Sequence, residues 1–238
     1  MTQYLERTYS FKGAPYKIAC MEPSPVHASW FTHEDESSVR DAQWDVRPGE
    51  CILDVGAAYG SYTLTALAAG AKRAYAWSPQ GEAGIPPEAD FFEESLRMNG
   101  WEDRCSVLRK GAFNRDGWLN AQTQEFSETP LDEADGNVIR VECLDTWYKR
   151  EFLPVEEVRL GSYIGFWLKL DVEGAEVEVL KGALRLIADL RPRIQVENHN
   201  FKRATIEQEV RTFLSAVGYR EVVTTPYHAV SHSLYVPE

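Results

Sequence analysis

The sequence is short of cysteine, of positive charge and of long hydrophobic runs, and each shortage excludes something. Only four cysteines occur in 238 residues: Cys20, Cys51, Cys105 and Cys143. No two stand in a CxxC, and their spacing fits no zinc pattern. Cys51 and Cys143 sit in apolar runs, so free thiols in a reducing compartment, the cytoplasm, are expected. Lys and Arg number 25 against 37 Asp and Glu, a net charge of −12. Phosphate backbones and anionic bilayers repel such a chain, so neither nucleic acid nor membrane is an expected partner. The longest uncharged run, Val55–Ala71, holds three glycines with Ser61, Thr63 and Thr65. It is too short and too polar for a membrane span. The first thirty residues carry Glu6, Arg7, Lys12 and Lys17 and no apolar h-region, so no signal peptide is expected. There is no internal repeat and no low-complexity tract.

What is present is globular. Apolar residues make up 44% and charged residues 26%, enough for a full core without disulfide or metal staples. One domain is expected, with an N-terminal arm and cap over 1–47 and a core over 48–238. The arm has turn signals at Gly13, Pro23 and Pro25. After it, short apolar runs alternate with helical patterns, which argues for an α/β fold with a mainly parallel sheet. Strands are expected at Cys51–Val55, Arg73–Trp77, Cys105–Arg109, Tyr163–Leu170 and Arg193–Val196. Helices are expected at Ser61–Ala69, around Phe92–Asn99, at Leu144–Phe152, at Ala175–Leu190, and over Ile206, Val210, Phe213 and Val217. Tyr219–Thr224 and Ser231–Val236 read as a terminal antiparallel hairpin. The polar stretch from Asn114 to Asn137 reads as a long loop, a lid carrying Trp118 and Phe126.

Three strand ends carry the chemistry. Leu53-Asp54-Val55-Gly56-Ala57-Ala58-Tyr59-Gly60-Ser61 closes a strand and opens a helix, where open α/β sheets bind ligands. Ala58 stands where a dinucleotide fingerprint has its middle glycine, and the lysine of a phosphate loop is missing. Asp54 suits a cationic ligand end; a tight turn without a ligand is the plainer account. Leu168-Lys169-Leu170-Asp171-Val172-Glu173-Gly174 repeats the strand-to-helix pattern. Asp171 emerges at the ligand edge, while Glu173 serves either the site or the helix dipole. Gln195-Val196-Glu197-Asn198-His199-Asn200 places four polar side chains after the next strand. Asn198 and Asn200 also suit a loop cap. If these last two strands are neighbours, ~4.8 Å apart, Asp171 and Glu197 converge. Two carboxylates that close require a shared proton or a cation, and oxygen donors suit magnesium.

The runs LDVGAAYGSYT, CLDTWY, LKLDVEGAEVEVLKGA and RPRIQVENH resemble the FkbM family of S-adenosylmethionine-dependent methyltransferases, over roughly Pro48 to Asn200. The DVEGAE-to-VLKGA block is the most specific part. The resemblance implies a class I (Rossmann-like) methyltransferase fold with a seven-stranded sheet, and transfer of a methyl group to a hydroxyl of a polyketide or a sugar. It implies that Asp54, Gly56, Ala57, Tyr59, Gly60 and Ser61 surround the methionine half of the cofactor, with Asp171 close by, and that Gly111 and Ala112 lie near the adenine. Family members usually carry an acid before a proline at the second strand's end. Here the run is Trp77-Ser78-Pro79-Gln80, so either Ser78 and Gln80 share the ribose or Glu82 reaches in.

The chemistry expected from this is O-methylation of a sugar or oligosaccharide with magnesium assistance. Asp171, Glu197 and Asn198 are the expected metal ligands. His199 is the expected general base and Glu173 the second candidate. Two other accounts stand beside this one: His199 simply bonds a neighbouring loop, and Trp118 and Phe126 merely pin their loop. His33, Glu34 and Asp35 are expected to line the acceptor's other side. A natural-product O-methyltransferase, or a methyltransferase fold that only binds, are the alternatives. A base methyltransferase would need an NPPY-like motif, which Asp171-Val172-Glu173-Gly174 is not. A homodimer is compatible with all of these.

Overall fold

The computed structural model describes residues 5–20, 43–79, 88–120, 122–123, 125–131, 137–156 and 160–238. Pro23, Pro25, His33, Glu34, Asp35, Gln80 and Glu82 lie outside them.

Strands β1 (Leu5–Phe11) and β2 (Ala14–Cys20) form a separate antiparallel hairpin. It docks on helix α2 (Glu88–Asn99), which follows α1 (Ser61–Ala68). The backbone N–H of Ala19 donates to Ser95 Oγ at 2.9 Å, and Asn99 brackets the Lys17 backbone at 2.8 and 2.7 Å. The arm is therefore bonded to the core at its second strand.

Strands β3 (Cys51–Val55), β4 (Arg73–Trp77) and β5 (Cys105–Leu108) build one half of the main sheet. A smaller sheet contains β6 (Gly111–Phe113), β7 (Gly117–Asn120), β8 (Phe126–Ser127) and β9 (Val138–Cys143) in the order β6-β9-β7-β8. Its presence corrects the expectation of a lid loop over 114–137. Trp118 and Leu119 pair with Ser127 and Phe126, and residues 122–123 between them form a turn. Residues 121, 124 and 132–136 of that stretch lie outside the described residues.

Strands β10 (Phe166–Leu170), β11 (Arg193–Asn198), β12 (Tyr219–Tyr227) and β13 (Val230–Pro237) complete the main sheet. Its order is β12-β13-β11-β10-β3-β4-β5. The run from β11 to β5 is parallel, and β13 lies antiparallel to both of its neighbours. The expected mainly parallel, seven-stranded sheet with a terminal hairpin is therefore the observed one. All five residues of β3 are buried, as a strand covered on both faces requires. Leu53, Val55, Leu168, Leu170, Ile194 and Val196 enter one core; Ile52 and Trp167 enter the other, beneath α1 and α2. The sequence runs outward in opposite directions from the β3–β10 pair. Their carboxyl ends therefore flank the crevice in which such sheets hold ligands.

The remaining helices are α3 (Leu144–Trp147), α4 (Leu153–Glu156), α5 (Glu176–Lys181), α6 (Leu184–Leu190) and α7 (Ile206–Ala216). A π-turn over Tyr148–Phe152 joins α3 to α4. The single helix expected over 175–190 is two. The break falls at Gly182, whose backbone lies against the Phe113 carbonyl, where a Cβ would overlap. In α7 the buried row is Ile206, Val210 and Leu214, with Phe213 and Val217 only partly covered.

Candidate active site

The turn after β3 is built by close backbone approach. Gly56 and Ala57 donate to the Trp77 carbonyl at 3.1 and 2.8 Å, and Asp171 N–H donates to the Val55 carbonyl at 2.9 Å. Gly56 has φ 87°, and a Cβ there would overlap the Asp171 carbonyl. At Gly60, φ 82°, a Cβ would overlap the Phe92 ring. Both glycines thus open space for other parts of the protein, which fixes the turn against β10 and α2. Ala57 and Tyr59 are buried, Tyr59 edge-on to Phe91 at 5.8 Å, and Ser61 begins α1 half-exposed.

Asp54 does not present its carboxylate to a ligand, which corrects the expected role. It is 1% exposed and accepts the Thr63 hydroxyl at 2.7 Å, tying β3 to α1. Burial pushes its pKa up to about 6, against the pull of the Thr63 bond and Lys169. Ser78 is buried as well, and its hydroxyl donates to the Ala58 carbonyl at 3.1 Å. It holds the turn in place and is not open for ribose. Gly111 and Ala112 lie buried in β6, paired with Val141 and Glu142.

The carboxyl ends of β10 and β11 do converge. Asp171, Glu173, Glu197 and His199 meet there, with two buried groups that the sequence reading passed over, Lys169 and Glu176. Lys169 is fully buried, with its Nζ 3.4 Å from Asp171 Oδ2, 3.8 Å from Glu197 Oε2 and 4.6 Å from the centre of the Tyr62 ring. His199 Nδ1 lies 2.6 Å from Glu176 Oε1. Its Nε2 lies 3.6 Å from both Asp171 Oδ1 and Glu173 Oε1. Glu173 reaches this position through a left-handed backbone, φ 52°.

The electrostatics follow from this crowding. Burial opposes the Asp171 charge, but Lys169 and His199 outweigh it and hold the carboxyl below its usual range. Burial and the Asp171 charge push Glu197 up to about 8. Burial opposes a charged His199, yet bonds to Glu173 and Glu176 and the Asp171 charge raise it to about 10. The surrounding carboxylates favour the imidazolium form of His199, which has no free electron pair for a proton. Glu88, at the start of α2, is raised by burial and by the charges of Asp171 and Glu173, so it belongs to the same acidic edge. His232, opposite Glu197 in the β11–β13 register, is buried with neither ring nitrogen bonded, 3.9 Å from Glu197 Oε2. Burial and the nearby Lys169 push it down to about 4.

The expected magnesium site does not fit these residues. The sequence reading ended β11 at Val196, but the strand runs on through Asn198, so Glu197 and Asn198 point to opposite faces. The Asn198 amide nitrogen donates to Ser231 O, Ser231 Oγ and Ser233 Oγ at 3.2, 3.2 and 2.9 Å. Asn198 thus pegs β13, and Lys169 already lies within 4 Å of both carboxylates. By spacing alone, a different set could hold a cation: Asp171, Glu173 and His199 each offer an atom within 4.8 Å of the others.

Beside the small sheet lies a cavity of about 190 Å³. Trp118, Arg140 and Glu128 line it, with Lys110, Glu142 and Arg150 at its charged wall. Glu142 is buried there under Trp77 Nε1 at 2.9 Å, Lys110 at 2.7 Å and Arg150 at 3.1 Å. Phe126 faces elsewhere, stacked on Phe113 at 5.5 Å beneath the Arg115 guanidinium, so it pins the small sheet. Among the described residues no helix is long and apolar enough to cross a membrane.

Residues 54–221 match the family model described as the methyltransferase FkbM domain. The fold is similar to a crystal structure of an FkbM methyltransferase from Methylobacillus flagellatus KT, with 18% identity, a TM-score of 0.52, and coverage of 81% of this chain and 44% of that one. It is also similar to a provisionally assigned SAM-dependent methyltransferase from Streptococcus mutans, with 8% identity, a TM-score of 0.53, and coverage of 97% and 55%. The chain thus spans about half the length of these two solved proteins. No curated protein matches it significantly.

Proposed function

The chain belongs to the FkbM methyltransferase family, and from that premise we propose an S-adenosylmethionine-dependent O-methyltransferase. Its acceptor, on this reading, is a hydroxyl of a sugar or short oligosaccharide. The observation that carries the cofactor is the acidic edge: Glu88, Asp171 and Glu173 concentrate negative charge beside the Gly56–Gly60 turn. That field suits a ligand bearing a sulfonium and an ammonium. Glu88 and Asp171 would hold the cationic groups, and the turn backbone would border the methionine half.

When bound, S-adenosylmethionine supplies an already activated methyl group. The chain's own work is then to align the hydroxyl and remove its proton. Glu173 is suited to take that proton. Its side chain is 65% exposed, at the mouth of the crevice, and His199 stands 3.6 Å behind it. The imidazolium, fixed by Glu176, steadies the carboxylate without competing for the proton. For the acceptor, Trp118 offers an aromatic face with Arg140 and Glu128 beside it, a combination that suits pyranose C–H groups and hydroxyls. The four free thiols suit a cytoplasmic enzyme. The charge of −12 keeps nucleic acid out of the proposal.

Calorimetry with S-adenosylmethionine and its demethylated product tests the cofactor; absence of heat with both, on folded protein, refutes it. A tritiated methyl donor with free mannosides, glucosides and rhamnosides tests the acceptor. Label found only on catechols or macrolactones would move the assignment to natural products.

A further inference from the structure

We infer that Lys169 is a resident cation, built into the fold within 4 Å of both Asp171 and Glu197, and that this carboxylate pair therefore works without a divalent metal. The inference deepens the proposed function and rests on it only for the consequence to turnover.

A lysine ammonium is strongly hydrated, and a wholly buried one persists only where charges and dipoles replace that water. Lys169 is fully buried in the middle of a core strand. Its replacements are all at one point: Asp171 Oδ2 at 3.4 Å, Glu197 Oε2 at 3.8 Å, the Leu170 carbonyl at 3.3 Å, and the Tyr62 ring face at 4.6 Å. Asp54 adds a further negative charge nearby. These are the same two carboxyls that adjacent strands bring together, and that need a shared proton or a cation to lie so close.

A divalent ion bridging the two oxygens would have to lie within bonding reach of both, ~2.0–2.6 Å. The ammonium already faces both carboxylates, at 3.4 and 3.8 Å. Burial leaves it poorly screened, so it would repel a second cation there. The third expected donor, Asn198, lies on the face of β11 opposite Glu197. A lysine cannot leave or exchange as a metal does. Its place in the ladder, paired with both Asp54 and Gln195, fixes the charge in register with the strands that carry the carboxylates. Lys169 is thus a positioning residue: it acts through Asp171 and Glu197, holding their charges and orientations for the open edge.

The test is Mn²⁺ binding to the full chain, read by the electron paramagnetic resonance of free Mn²⁺, with the Glu197→Gln chain as baseline, which keeps the Asp171, Glu173 and His199 set intact. The wild type should bind no more Mn²⁺ than that baseline. Lys169→Met, which keeps the stem and removes the charge, should gain one Mn²⁺ per chain, and Lys169→Met/Glu197→Gln should lose it again. One Mn²⁺ per wild-type chain above the baseline overturns the inference, as does a folded Lys169→Met chain that gains none. If Lys169→Met does not fold, the wild-type comparison still decides. The double variant, which removes one charge of each sign, should then recover folding; if it also fails to fold, the inference is wrong. Failure to bind S-adenosylmethionine would end the functional reading and leave the Mn²⁺ result standing.

Discussion

Strands β3, β10 and β11 have two charged ends, and the two are built differently. At the amino end, Glu50 is buried and fully used. Arg47 N–H donates to it at 2.7 Å, Trp167 Nε1 at 3.0 Å, and the Arg193 guanidinium closes the other oxygen. At the carboxyl end, Lys169, Asp171, Glu173, Glu197 and His199 stand 3.4 to 3.8 Å apart. Glu176 Oε2 and both nitrogens of His232 have no hydrogen-bond partner there. Short, saturated contacts leave a charge nothing further to do, and they stabilise. Groups held near one another but not in contact keep capacity for a ligand or a proton. The same strands thus carry a fastening at one end and a reactive edge at the other.

The largest effect that would break this contrast lies at the carboxyl end. Glu173→Gln removes the proposed base and leaves its polar contact with His199 in place as an amide. It should lower kcat by ~10²–10⁴, the usual worth of a positioned base. Cofactor affinity should fall far less than kcat, because Glu88 and Asp171 would still hold the cationic groups. Steady-state methyl transfer with the acceptor found in the sugar screen measures it. Undiminished turnover would mean that proton removal falls to another group.

Much of this edge was legible because strand alternation and strand spacing are stiff rules. Asp171 and Glu197 converge since their strands are parallel neighbours, as Trp167–Leu170 pairing with Arg193–Val196 demands. Lys169 was hidden by its surroundings: within Phe-Trp-Leu-Lys-Leu it reads as one polar residue in a buried run, and only the fold supplies Tyr62 and Glu197 from other elements. Asn198 was misread for a boundary reason. Two more residues of β11 turn a loop amide into a strand residue facing β13. Glu88 and His232 carried no local signal at all, because what makes them part of the site is a crossing of elements far apart in sequence. The small sheet was missed because three of its strands are only two to four residues long and the stretch is rich in turn formers, a pattern that also describes loops.

The next effect is at the amino end. Glu50→Gln leaves Arg193 with only the exposed Asp45, 3.8 Å away, as counter-charge and weakens the bond to the Trp167 indole. Breaking a buried pair from one side costs ~3–5 kcal/mol, and Arg193 is partly exposed, so ~3 kcal/mol is expected. Urea unfolding measures it. Affinity for S-adenosylmethionine should not change; a parallel loss of binding would mean that the two ends are mechanically coupled.

Two histidines sharpen the contrast through pH. The folded pKa of His199 is raised to about 10, so its contribution is complete below the unfolded value of ~6.5 and is lost as pH rises through about 10. For His232 the folded value is lowered to about 4, so its contribution holds above ~6.5 and is lost as pH falls through about 4. Nitrogen-15 spectra of the imidazoles should show His199 doubly protonated and His232 neutral throughout pH 5 to 9, a window ~1 unit inside both values. The unfolding free energy of His199→Gln should approach that of wild type as pH climbs above neutrality. If both rings titrate near the ordinary value, the crowding at this edge is not what holds their charges.

The smallest effect tests a residue that sits at the reactive edge but is bonded like the fastening. Asn198→Ala removes the donors to Ser231 and Ser233. Ser231 Oγ keeps its bond to Glu207 and Ser233 Oγ keeps Thr224, so the hydroxyls are not stranded. The Asn198 oxygen has no partner to lose, since it is buried and unbonded. A loss of ~1 kcal/mol is expected, the net worth of an ordinary hydrogen bond. It should appear as a lower urea midpoint, together with faster exchange of the β13 amides near Ser231. Turnover should change little, because nothing at the crevice depends on this amide. A metal ligand would behave in the opposite way, with stability nearly intact and activity lost. A collapse of kcat in Asn198→Ala with an unchanged midpoint would therefore return Asn198 to the site and put Lys169's place beside the carboxylates in question.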